Sequence, residues 1–169
     1  NIKTNQIVFF KTEFDAIKKL LEIFVSKGND ILTTNPPWPY LDLAAIENKN
    51  MVSVVTLNNT ENRFLDINYH NFNIDTKVKM IYLSSPNIVS GQCIRENERW
   101  GNFIRKLPDN IILVIDERYI DFVKKEKNLD KNKASILDSL NLLKNRENTI
   151  ILRSFNNFYS IENLELCYI

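Results

Sequence analysis

The chain has 169 residues, 44% of them hydrophobic and 25% charged, which is the make-up of an ordinary globular domain and excludes intrinsic disorder, collagen and coiled coil. A chain of this length buries roughly 70% of its unfolded surface, so one domain without a disulfide or metal staple is expected. Its 22 basic and 21 acidic residues leave a net charge of +1, which supplies no long-range field to recruit nucleic acid or an anionic membrane.

Short apolar runs alternate with amphipathic stretches. Ile7-Val8-Phe9-Phe10 reads as a buried strand. Phe14, Ile17, Leu20, Leu21 and Phe24 then recur at helical spacing, with Thr12 as N-cap, Asp15 three residues on and Gly28 as the stop. Asp30 to Thr34 is a second strand. Asn35-Pro36-Pro37-Trp38-Pro39 is a loop, because proline cannot donate to a ladder. A helix from about Tyr40 to Glu47 leads to a third strand, Val52 to Val55. Thr56 to Thr76 is the least regular stretch and reads as a hairpin or a short helix. Val78 to Leu83 is a fourth strand, followed by a turn over Ser84 to Gly91 and a helix from Glu98 to Leu107. Asn110 to Ile115 is a fifth, nearly all-apolar strand of the kind covered on both faces. Lys124 to Lys133 reads as a solvated loop and Ala134 to Lys144 as a helix. Thr149 to Leu152 and Leu164 to Tyr168 complete seven strands.

Strands alternating with helices imply crossover connections and a mostly parallel sheet with helices on both faces, a three-layer α/β architecture. Only about ten residues without a helical pattern separate the last two strands, so one antiparallel strand is expected there. Ligands in such sheets bind beyond the carboxyl ends of the strands. That directs attention to Lys11-Thr12, Pro36 to Tyr40, Ser84 to Gly91, Asp116 to Tyr119 and Phe155 to Asn157.

No apolar run nears the roughly 18 residues of a membrane span. The first residues lack a signal-peptide core and an initiator Met, so the chain reads as a mature product or an excised piece. Cys93 and Cys167 form no C-x-x-C motif, and with one histidine no His/Cys metal site is expected. The default compartment is a reducing cytoplasm with both thiols buried. His70, in the irregular stretch, reads as a surface residue.

Three segments carry a family resemblance. Ile111-Ile112-Leu113-Val114-Ile115-Asp116-Glu117-Arg118-Tyr119 resembles the strand that ends in D-E-A-Y in class I/II aminotransferases, most closely the histidinol-phosphate group. Leu83-Ser84-Ser85-Pro86-Asn87-Ile88-Val89-Ser90-Gly91 is similar to that family's N-P-x-N-P-T-G loop. Thr149 to Tyr159 resembles V-L-R-T-F-S-K-A-Y and runs on through Ile161 to Tyr168 like L-A-G-L-R-I-G-Y. The resemblance covers essentially the whole chain. It implies the large domain of pyridoxal-phosphate fold type I, a seven-strand mixed sheet, with the family's N-terminal arm and C-terminal small domain absent. It also implies assembly, as a homodimer or as a heterodimer with an intact aminotransferase subunit.

The departures from the family pattern decide the expected function. Asn157 stands where the family has the lysine that forms the Schiff base with the cofactor aldehyde, and an amide nitrogen is not a usable amine nucleophile. No lysine follows Lys144 in the sequence, so a shift of register does not restore one. The phosphate-clamping arginine falls on Glu165, and the hydroxyl of the F-S-K triplet on Asn156. The phosphate loop reads Lys11-Thr12-Glu13-Phe14, where Thr12 and the helix N-terminus still offer an anion site and Lys11 partly replaces the lost charge. The asparagine that contacts the cofactor's phenolic oxygen falls on Ile88, with Asn87 one position away.

Two family features survive. Asp116 matches the carboxylate that pairs with the pyridine nitrogen, and Tyr119 the phenol that hydrogen-bonds the cofactor oxygen. Trp38 or Tyr40 supplies a ring to stack on the pyridine. Each has a structural rival: Asp116 also suits the cap of a buried strand, Tyr119 a packed aromatic and Trp38 a loop anchor. A phosphate dianion facing Glu165 and Glu13 is repelled by about 4 kcal/mol per like charge at 4 Å and an effective dielectric of about 20. The resemblance thus implies a degenerate, non-catalytic homologue, structural or regulatory. The alternative is a protein that still binds pyridoxal phosphate noncovalently through Asp116, Tyr119 and Thr12, with residual or unusual activity.

Overall fold

The computed structural model describes residues 2–56, 64, 65, 67–124, 136, 137, 139–161 and 164–169, with the backbone alone for Lys124 and Asn157. Most apolar runs become strands and most amphipathic stretches between them helices. In chain order these are β1 (Phe9–Phe10), α1 (Glu13–Phe24), β2 (Asp30–Thr34), α2 (Pro39–Asn48), β3 (Met51–Val55), β4 (Phe64–Leu65), β5 (Val78–Ser84) and β6 (Cys93–Ile94). There follow α3 (Glu98–Lys106), β7 (Ile112–Asp116), α4 (Ile120–Lys124), α5 (Leu142–Asn145), β8 (Thr149–Ser154), α6 (Asn156–Tyr159) and β9 (Cys167–Tyr168).

Seven strands form one sheet in the order β1-β9-β8-β7-β5-β2-β3. β3, β2, β5, β7 and β8 run parallel to their neighbours. β9 is antiparallel to both β8 and β1, and is the single reversed strand. The two-residue strands β4 and β6 pair in a small separate ladder.

The pleat sends alternate residues of the central strands to opposite faces. Ile81, Leu83, Leu113 and Ile115 pack on one side with Trp100 and Phe103 of α3. Met80, Tyr82 and Val114 pack on the other with Ile17, Leu20 and Leu21 of α1 and with Leu41 and Ala45 of α2. Burial on both faces explains why these strands are almost wholly apolar. Each fully buried Leu or Ile contributes about 1.5–3 kcal/mol. The result is a three-layer α/β domain with a mostly parallel sheet, as the alternation of patterns implied. No helix among the described residues is long and apolar enough to cross a membrane.

Four expectations need correction. Ile7 to Phe10 is not a buried strand: only Phe9 and Phe10 are in the ladder, at the sheet edge, and Phe9 is 60% exposed. Phe24 ends α1 exposed rather than on its buried face. Helix α1 stops at Val25, and Gly28, at φ +82°, instead serves the turn that leads into β2. Among the described residues no long helix spans Ala134 to Lys144: Ile136 bridges Arg95, Leu137 donates to the Ile94 carbonyl, and α-helix begins only at Leu142. Packing of Leu137 into the core beside β6 overrides the helical spacing there. The expected loop from Lys124 to Lys133 lies, beyond Lys124, outside the described residues, as does most of the hairpin-or-helix stretch before Phe64.

Candidate active site

The parallel register sets the carboxyl ends of β2, β5, β7 and β8 along one rim. Ser84 faces Asp116, and Asp116 faces Leu152. Tyr82, two residues before Ser84, shares a sheet face with Asp116 on the neighbouring strand, at the diagonal spacing an aromatic side chain can span. The Tyr82 hydroxyl donates to Asp116 Oδ2 at 2.5 Å. The loop after β2 brings Trp38, 4% exposed, to the N-terminus of α2 with Pro39 at the first helical position. There its indole lies nearly parallel to the Tyr82 ring, with centroids 6.3 Å apart.

The chain beyond Asp116 folds straight back on it. The Arg118 backbone N–H donates to Asp116 Oδ1 at 3.2 Å, a side-chain-closed turn of the kind aspartate favours. The guanidinium then grips the same carboxylate, Nε to Oδ1 at 2.9 Å and Nη2 to Oδ2 at 2.7 Å. Its far face lies over the Trp38 indole, 4.2 Å from the ring centroid. Trp38, Tyr82, Asp116 and Arg118 thus close a ring of four contacts, and Arg118 is itself buried.

The electrostatics follow from that burial. Burial alone would ease the proton off Arg118, but the adjacent Asp116 charge and its hydrogen bonds more than offset this and hold the guanidinium charged. Burial, reinforced by the Asp116 charge, pushes the Tyr82 phenol well above its ordinary range. Glu117, the next residue, points elsewhere. It accepts from Arg153 Nε and Nη2 at 3.0 and 2.6 Å and from the Ser139 hydroxyl, which ties the end of β7 to β8.

A cavity of about 630 Å³ opens above this ring, lined among others by Thr12, Phe14, Trp38, Tyr40, Arg118 and Tyr119. It brings together Thr12, Trp38 and Tyr119 of the residues singled out by sequence. Asp116, 3% exposed, lies behind Arg118 and does not line it. Tyr40 joins Trp38 as a second wall, with ring centroids 5.4 Å apart. Asn87 is turned away: its amide donates to the Pro36 carbonyl and accepts from the Val89 and Ser90 N–H groups, so it knits two loops. Ile88, its neighbour, reaches the cavity instead. Asn157 lies in α6, and its side chain is outside the described atoms.

At the mouth, Thr12 caps α1. Its hydroxyl accepts from the Asp15 N–H at 3.1 Å and donates to the Asp15 carboxylate at 2.7 Å. Lys11 is paired with Glu165 at 3.0 Å, both exposed. Asn156 donates to Glu13 at 3.4 Å and accepts from the Leu166 N–H. Glu13, Asp15 and Glu165 therefore crowd this end, and the nearby cation is already paired.

As arranged, these residues do not fit pyridoxal phosphate. Five hydrogen-bond donors converge on Asp116 from Tyr82, Ser84 and Arg118, while a carboxylate offers about four lone-pair sites. None is left for a pyridine nitrogen. The Trp38 face is covered by the guanidinium, and the mouth is acidic where a phosphate would sit. Sequence reading missed Arg118, Tyr82, Glu117 and Arg153. Three carried a motif signal: Arg118 is a charged side chain in place of the alanine of D-E-A-Y, Glu117 matches the glutamate of that motif, and Arg153 matches the arginine of V-L-R-T-F; Tyr82 carried none.

Comparison with known proteins agrees with the architecture. The family model "Aminotransferase class I and II" matches residues 1–168, and the chain belongs to that family. Histidinol-phosphate aminotransferase 2 of Carboxydothermus hydrogenoformans is 29% identical over 174 residues, covering 99% of this chain and 43% of the relative. The histidinol-phosphate aminotransferase of Caldicellulosiruptor saccharolyticus is 21% identical over 99% of this chain and 44% of its own. Among solved structures, the histidinol-phosphate aminotransferase of Sinorhizobium meliloti, in complex with pyridoxal-5'-phosphate, superimposes with a TM-score of 0.77 at 17% identity. That match covers 96% of this chain and 41% of the other. The alanine aminotransferase of Pyrococcus furiosus gives 0.79 at 14% identity, over 99% and 40%. The chain spans less than half the length of the relatives it matches.

Proposed function

We propose that this chain is a non-catalytic aminotransferase homologue, a structural or regulatory unit rather than a transaminase acting on histidinol phosphate or a similar amine. What supports the reading is Asn157, which by the motif resemblance stands in the position of the family's lysine. An amide nitrogen delocalises its lone pair into the adjacent carbonyl and does not condense with an aldehyde. Pyridoxal phosphate, when bound, supplies the electron sink for amino-group transfer. Here the carboxylate that would sustain that sink is spent on Arg118 and Tyr82.

A partner accords with this role. Leu43 and Ile46 of α2 and Met51 and Val54 of β3 are all about half or more exposed, an apolar surface suited to a homodimer or to an intact aminotransferase subunit. The reading is tested by mixing the chain with pyridoxal phosphate, reducing with borohydride and mapping the peptides. No stoichiometric pyridoxyl group is expected on any of the chain's lysines. A saturable, single-site adduct on one lysine would refute the proposal.

A second reading rests on the cavity walls Thr12, Trp38 and Tyr119 and requires Arg118 to release Asp116 and the Trp38 face. It is noncovalent retention of pyridoxal phosphate with residual or unusual activity. Absorbance that titrates saturably, yet leaves no covalent tag after borohydride, separates it from the first.

A further inference from the structure

We propose that Arg118 is a built-in occupant of the cofactor subsite: its guanidinium takes the place of a planar cationic ring against Asp116 and Trp38, closes the site to pyridoxal phosphate, and opens it when removed. The proposal rests on the assignment of this cavity as the family's former active site.

The chemistry of the two contacts supports it. A carboxylate at the end of a buried strand accepts from a cation in its plane, and an indole face receives a flat, weakly hydrated cation by stacking. Guanidinium satisfies both at once. It is planar, always charged, and carries its donors in a fork that matches a carboxylate. Arg118 makes both contacts, at 2.7 and 2.9 Å to the carboxylate oxygens and 4.2 Å over the ring.

Position in the chain makes this occupant hard to displace. Arg118 is two residues from Asp116, and its own N–H is held by the same carboxylate. The Ile120 N–H donates to the Glu117 carbonyl and continues the turn. The guanidinium is therefore delivered locally and competes with any free ligand at a high effective concentration. An external ring must also strip a buried ion pair, leaving Arg118 without its counter-charge. The site is filled, not merely eroded.

The test compares wild type, Arg118→Ala and the neutral pair Asp116→Asn with Arg118→Ala, each titrated with pyridoxal phosphate. Melting temperature and quenching of tryptophan fluorescence are followed together. Wild type is expected to show no saturable change up to about 1 mM. Arg118→Ala is expected to bind saturably, with a midpoint at least about tenfold below any response of wild type. Millimolar methylguanidinium should compete with the cofactor and restore melting temperature to this variant.

The neutral pair leaves no unpaired buried ion, so it keeps the test open if the single variant does not fold. It too should gain saturable quenching, because the Trp38 face is freed. Wild type binding as tightly as Arg118→Ala would overturn the proposal. So would a folded variant or neutral pair that binds no better than wild type. Borohydride keeps the two readings apart. Binding without a tag upholds both, and binding with a saturable tag on a single lysine upholds the Arg118 role while refuting the non-catalytic one. Absence of binding by folded variants refutes only the Arg118 role.

Discussion

Arg118 and Asp116, two residues apart, form a buried, bidentate ion pair, with the guanidinium 2.9 and 2.7 Å from the two carboxylate oxygens. The pair sits at the carboxyl end of the central parallel strands, the rim where open α/β sheets bind ligands. It forms an internal clamp in which the carboxylate is committed to the chain itself.

This clamp has a stability signature. Truncation of one member leaves the other charged and unpaired in the interior, which costs about 3–5 kcal/mol. Asp116→Ala is expected to lower the melting temperature by about 6–20 °C, at about 2–4 °C per kcal/mol for a chain of this size. Asp116→Asn combined with Arg118→Leu should cost clearly less than the two single changes added together. Denaturant unfolding of the four species of the cycle measures the coupling.

Glu117 makes the same argument one residue further on. It is buried between Arg153 and Ser139. Arg153→Ala strands its carboxylate and should cost about 3 kcal/mol or more, whereas Ser139→Ala removes one donor and should cost about 1–3 kcal/mol. Urea midpoints distinguish the two.

Alkaline pH should destabilise the fold in two stages. Burial pushes the Cys167 thiol up to about 12 from an ordinary 9.0, and the Tyr82 phenol is raised well above 10.0. Both groups are protonated in the folded chain and ionise sooner when it unfolds, so their contribution is complete below the unfolded values and is lost as pH rises. Between about pH 9 and 12, Cys167 alone should remove stability at up to about 1.4 kcal/mol per pH unit. Tyr82 steepens the loss above about pH 10. Unfolding free energies measured from pH 7 to 11 should fall along this path, and Cys167→Ala should flatten the stretch from pH 9 to 10.

The same burial protects both thiols. Neither Cys93 nor Cys167 is in a disulfide, and both are buried, Cys167 fully. A disulfide-exchange reagent at pH 8 should label neither in the folded chain and both in denaturant. Rapid labelling of the native chain would contradict the placement of β9 inside the core.

Much of this fold was legible in the chain. β2, β3, β5, β7 and β8 are apolar runs bounded by Pro, Gly and Asn, and they occur within about two residues of where periodicity places them. Thr12 caps α1 as its spacing to Asp15 suggests. What escaped were features without periodicity. β4 and β6 are two residues each and exist only as each other's partners. β1 is apolar yet lies at the sheet edge, where Phe10 lines a groove of about 890 Å³ with Ile23, Leu143 and Ile150 while Phe9 faces outward.

The site was legible in outline and misleading in detail. Asp116, Trp38 and Tyr119 do converge at one rim, since motif order fixes which strand ends meet. Residue types could not convey that Asn87 spends its amide on Pro36, Val89 and Ser90. Hydrogen-bond saturation is a property of three-dimensional neighbours, and a lone motif does not reveal it.

Amino-group transfer itself tests the central claim most directly. Wild-type chain at high concentration, mixed with pyridoxal phosphate and a panel of L-amino acids, is followed for pyridoxamine phosphate by chromatography. No formation above the protein-free control is expected. Protein-dependent formation that saturates with amino acid would contradict that claim.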